Sequence, residues 1–156
     1  MQFLNFFITS VISFSGLVAG FYLLKIAPEE QKPLHKYLRI FRYLLVAGIL
    51  VLGFFLPKNA ISLLPFLVLV LLSIYFIIRE NEKSQSLNSA ILGAILCLAS
   101  SEKRILAIAS VFIFLFFLAT CLISANIKKK NILKIAFNNS LFLVSSNIIY
   151  LTIFHS

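Results

Sequence analysis

Aspartate and tryptophan are absent from this 156-residue sequence, which holds only five acidic residues, five glycines, two histidines and two cysteines. The acids, Glu29, Glu30, Glu80, Glu82 and Glu102, all fall between long uncharged runs. No apolar segment therefore carries the buried carboxylate on which proton relays and many ion-coupled carriers depend. The few glycines make neither a phosphate-cradling loop nor a nucleophile elbow, and His35 and His155 make no paired-histidine motif. Glu29, Glu30 and His35 are the nearest approach to a ligand set, but their spacing matches no tight metal motif, so no metal or other cofactor is expected. Cys97 and Cys121 should lie at depths roughly 20 Å apart on neighbouring helices, too far for a disulfide, and read as small hydrophobes.

What is abundant is apolar surface. The chain is 61% hydrophobic and 12% charged, against about 25% charged for a soluble domain. A hydrocarbon layer about 30 Å thick is crossed by about 20 helical residues, and the length divides into six such pieces joined by short loops. The expected fold is all-α, a polytopic transmembrane helical bundle forming one integral membrane domain over 1–156. Its spans are placed at about 3–24, 37–56, 60–78, 86–101, 105–127 and 135–154. The uncharged run 43–56 covers only about 21 Å, so span two has to reach back to Tyr37, with Arg39 and Arg42 snorkelling to the headgroups. Span four is short and rich in small residues, and a re-entrant segment is its alternative. Pro65 is expected to kink the outer end of span three. The first span lacks the positive leader of a signal peptide and is read as retained.

Orientation follows from the bases. The loops after spans one, three and five hold Lys25, Lys32, Lys36, Arg39, Arg42, Arg79, Lys83, Lys128, Lys129, Lys130 and Lys134, eleven of the 14 basic residues, while Lys58, Lys103 and Arg104 lie opposite. Cytoplasmic loops retain Lys and Arg, so both termini are expected outside. With no soluble basic face to present, the formal charge of +9 is a topology signal and nucleic acid is not an expected partner. Abundant Phe, Ile, Lys and Asn without Trp are in keeping with an AT-rich microbial genome, and hence with a microbial cell membrane.

Three polar stripes stand out. Asn5, Thr9, Ser13, Gly16 and Gly20 share one face of span one, with a Gly-x-x-x-Gly element of the kind that lets helix backbones approach. Ser89, Gly93, Cys97 and Ser101 repeat the pattern in span four. In span six, Asn138, Ser145 and Thr152 lie on one side, with Asn139, Ser146 and Tyr150 adjacent and Asn147 widening the arc. Each stripe reads first as a packing seam and second as one wall of a polar path.

The first cytoplasmic loop gathers Glu29, Glu30, Lys32, His35, Lys36, Arg39 and Arg42. Leu34, Tyr37, Leu38 and Phe41 there form an amphipathic face suited to lying on anionic headgroups or receiving a partner. The partners implied are the lipid bilayer, anionic headgroups, and another membrane protein or a second copy of the chain. The leading expectation is a non-enzymatic membrane-complex subunit, scaffold or assembly partner. A small transporter or channel for a neutral solute or ion, using the polar faces of spans one and six, is the alternative; a lipid-active enzyme is the third reading.

Overall fold

Runs of Leu, Ile, Phe and Val with few glycines or prolines offer the backbone no alternative to a helix, and each run becomes one. A computed structural model describes residues 3–26, 31–53, 60–79, 82–128 and 132–154. The elements are α1 (Phe3–Phe14), α2 (Gly16–Ile26), α3 (Gln31–Gly53), α4 (Ala60–Arg79), α5 (Glu82–Ala99), α6 (Lys103–Lys128) and α7 (Ile132–Phe154). Helix hydrogen bonding passes through the break at Ser15, whose amide donates to Val11 O and Ile12 O at 3.0 and 3.1 Å and whose carbonyl accepts from Ala19 at 3.0 Å. α1 and α2 are thus one rod, and the described residues form six helical segments.

Three of the six are long and apolar enough to cross a membrane: Phe3–Ile26, Lys103–Ser124 and Ile135–Ile153. Leu64–Arg79 and Ser84–Ala99 are shorter apolar helices. α3 begins at Gln31, well before Tyr37, and runs on without a break, so the amphipathic stretch from Leu34 to Phe41 is the first half of that helix rather than a separate surface helix. Pro33 sits in its first turn, where a missing N–H costs nothing. α5 occupies Glu82–Ala99, ahead of the expected 86–101, because Ser100 and Ser101 belong to the turn into α6. Glu102 opens α6, its carbonyl accepting from Leu106 N at 2.9 Å. α4 passes through Pro65 as one helix.

α6 is the central element, packed by α1, α2 and α3 and more lightly by α5 and α7; α5 lies between α4 and α7, and α7 returns to α1. Between them sit Leu45, Ile49, Val70, Leu96, Ile113 and Phe117. Polarity runs opposite to that of a bundle made for water. Leu4, Val18, Leu64, Leu71, Ile78 and Phe137 all stand more than 60% exposed, whereas Ser10, Ser73, Asn88, Ser89, Thr120 and Asn139 are buried. An exterior of this kind argues for contact with a lipid bilayer, where polar groups turn inward to find partners.

Candidate functional site

The stripes of the sequence are distributed among specific helix pairs. Gly16 and Gly20 lie against α6 so closely that a Cβ on Gly16 would overlap the Phe114 carbonyl and one on Gly20 would come within 2.8 Å of Cys121 Cβ. Ser13 is buried beside them, but the face turns away at its N-terminal end: Thr9 is half-buried and Asn5 exposed, and Phe6 and Ser10 take the interior positions. Ser89 and Gly93 of α5 meet α7. Ser89 Oγ donates to Asn138 O at 3.4 Å, Ser145 Oγ donates to Ala90 O at 3.0 Å, and a Cβ on Gly93 would press 2.7 Å from Phe142 O. Cys97 is buried and free on α5, and Ser101 is exposed in the turn. On α7 the buried line is Ile135, Asn139, Phe142, Ser146 and Tyr150, while Asn138 is only half-buried. Thr152 faces outward, its hydroxyl bonded to Ile148 O and Ile149 O of its own helix at 3.1 and 2.9 Å.

α1 and α7 meet through aromatic rings. Phe6 stacks on Tyr150 with centroids 4.2 Å apart, and Phe117 stands edge-on to Phe142 at 5.0 Å, with Phe14 touching both. Asn147 Nδ2 spans the two helices, donating to Ser10 Oγ at 3.4 Å and to Leu143 O at 2.7 Å.

A polar pocket does form elsewhere, with a volume of about 70 Å³. Its polar lining comes from α3 (Arg42), α5 (Gln85, Asn88), α6 (Thr120, Ser124) and α7 (Asn139), and its apolar wall includes Phe76 and Phe116. Arg42 is expected from the sequence to reach outward to the headgroups; the structure turns it inward instead, only 8% exposed. The reason is periodicity: Arg42, Leu45, Val46 and Ile49 share the one face of α3 that packs into the bundle. Its guanidinium lies 5.5 Å from the centre of the Phe116 ring, a cation–π contact worth about 0.5–2 kcal/mol.

Hydrogen bonds fix the pocket's amides. Ser73 Oγ donates to Asn88 Oδ1 at 2.6 Å, which leaves the Asn88 NH₂ as the donor end of that side chain. Gln85 Nε2 donates to Ser124 Oγ at 3.3 Å, and Asn139 Nδ2 to Ile135 O at 2.8 Å. Ser84 Oγ, bonded to Phe76 O, ties α5 to α4 beside the pocket. Thr120 Oγ1 is buried with no hydrogen-bond partner, a condition that costs about 1–3 kcal/mol. Counted from the helix ends at Glu82, Lys128 and Ile132, Asn88, Thr120 and Asn139 all lie about 10 Å in. The pocket therefore lies near the end of the bundle that the sequence marks as basic.

Of the first-loop residues, Lys36 and Arg39 are exposed, His35 is half-buried, and Glu29 and Glu30 lie outside the described residues, as does the Lys32 side chain. Among the described residues no three of His, Cys, Asp or Glu come together. The sequence stripes include Asn139 but miss Gln85 and Asn88 on α5 and Thr120 and Ser124 on α6, isolated pairs three and four residues apart that extend into no longer stripe. The one available signal was the i, i+3, i+4, i+7 line that starts at Arg42.

The fold and this pocket define a class, a helical bundle with candidate transmembrane helices and an inward-facing cation near one end. No family model, curated protein or solved structure matches the chain, and the pocket's chemistry stands by itself.

Proposed function

We propose that the chain is a single integral membrane domain of six spans, with both termini on the non-cytoplasmic side of a microbial cell membrane, serving as a non-catalytic subunit or scaffold of a membrane assembly. The observation that carries this reading is how the polar stripes are used. Gly16 and Gly20 seat α2 on α6, and Ser89, Gly93 and Ser145 join α5 to α7. The space between α1 and α7, where a solute path along their polar faces would run, is filled by the rings of Phe6, Phe14, Phe117, Phe142 and Tyr150. A closed aromatic interior favours a structural role over conduction along those faces. The outer surface of Leu, Ile, Val and Phe supports the bilayer as solvent and leaves room for a second membrane protein or a second copy.

The test is to extract the tagged full-length chain in mild detergent and determine by native mass spectrometry whether it holds a stoichiometric partner or copy. Liposomes containing the purified chain are assayed in parallel for flux of small neutral solutes. A defined assembly without flux is expected; a monomer that conducts would overturn the reading.

A further inference from the structure

We propose that the pocket between α5, α6 and α7 binds a small cluster of ordered water, which joins the three helices by hydrogen bonds. Thr120 of α6 lines this pocket, is 2% exposed, and its hydroxyl meets no hydrogen-bond partner from the protein. A threonine hydroxyl in a helix commonly bonds a carbonyl of the preceding turn, so an orphaned one on a pocket wall points to an occupant.

The neighbouring side chains say which occupant. Ser73 engages Asn88 Oδ1, so Asn88 presents its NH₂ as a donor. Asn139 Nδ2 donates to Ile135 O and Gln85 Nε2 to Ser124 Oγ, so each of these amides presents its carbonyl oxygen as an acceptor. Donors and acceptors therefore stand together on neutral groups, and the molecule that serves both must itself donate and accept in several directions. Water does so; a bare ion cannot. The volume of about 70 Å³ is several times the roughly 15 Å³ that one water requires, and the polar groups supply the partners each water needs. Position supports the same occupant. α6 packs only lightly against α5 and α7, and Asn88, Thr120 and Asn139 lie where hydrocarbon offers an unpaired polar group no partner. Bridging water completes the bundle where side-chain packing is thinnest.

The full-length chain, deuterated and labelled at its isoleucine methyls, is placed in lipid nanodiscs and read by water-to-methyl NOE spectroscopy. Ile77 and Ile123 line the pocket and should show cross-peaks to water, whereas Ile113, in the apolar core, should show none. The thermal midpoint is followed in parallel. Thr120→Val, close to isosteric, should lower it by about 2–4 °C, because the water cluster loses a hydrogen bond. In an unhydrated pocket the same change removes an orphaned hydroxyl and leaves the midpoint unchanged or raised, and either result overturns the proposal. Absence of water cross-peaks at both Ile77 and Ile123 overturns it on the wild type alone, whether or not the variant folds. Cross-peaks of equal strength at Ile113 would make hydration general and overturn the site.

Discussion

At Gly16 a methyl group would occupy the space of the Phe114 backbone, which cannot move aside as a side-chain tip can. Gly16→Ala should therefore lower stability by about 1–3 kcal/mol, the range for overpacking a tight interface. Gly48 is the contrast. Its added Cβ would meet only the edge of the Phe112 ring, at 3.1 Å, and a ring can tilt, so Gly48→Ala should change stability by under about 1 kcal/mol. Steric-trapping unfolding in detergent micelles would separate the two. A polar counterpart is Ser73. Removing its hydroxyl leaves Asn88 Oδ1 buried without its donor, so Ser73→Ala should cost about 1–3 kcal/mol, partly recovered in Ser73→Ala/Asn88→Leu, where both halves of the pair are gone. Thr152→Leu should be nearly silent, because that outward hydroxyl bonds only its own helix.

Among the elements, α3 departs furthest from its sequence reading. The uncharged run alone is too short to cross a bilayer, and extending it back draws in Arg39 and Arg42. Treating both as headgroup anchors ignores their positions around the helix. Arg39 faces out, whereas Arg42 shares the buried line of Leu45, Val46 and Ile49. Truncations along α3 should report that line directly. Leu45→Ala and Ile49→Ala are expected to cost about 2–5 kcal/mol, and Leu44→Ala and Val51→Ala, on the exposed side, within about 0.5 kcal/mol. Equal losses on both faces would mean α3 is buried all round. The polar stripe of α1 shows the opposite error: a face drawn through Asn5 and Thr9 is displaced at its N-terminal end from the buried one, which passes through Phe6 and Ser10, where Phe6 stacks on Tyr150.

For the molecule as a whole, the inversion of polarity between surface and interior predicts that the full-length chain is recovered from membranes only with detergent. The count of basic residues predicts more. Single cysteines introduced as Lys58→Cys and Lys129→Cys should react with an impermeant maleimide from opposite sides of sealed vesicles, with little background from the buried Cys97 and Cys121. Reaction of both from one side would refute the proposed topology.

Helix content, the number of helical segments and their apolar character were legible in the residues alone, because hydrophobic run length and the placement of charge act locally along the chain. Which stripe packs against which helix was not. Ser89 and Gly93 find Asn138 and Ser145 some 50 residues later, at separations of 49 and 55 where hydrogen bonds are concerned. The polar lining of the Arg42 pocket comes from four helices, each contributing one or two residues, and a fifth helix, α4, adds Phe76 and Ile77. Rotation of each rod about its axis decides these matters, and that rotation is set by the fit of side chains across helices, a property of pairs of segments that no single segment contains.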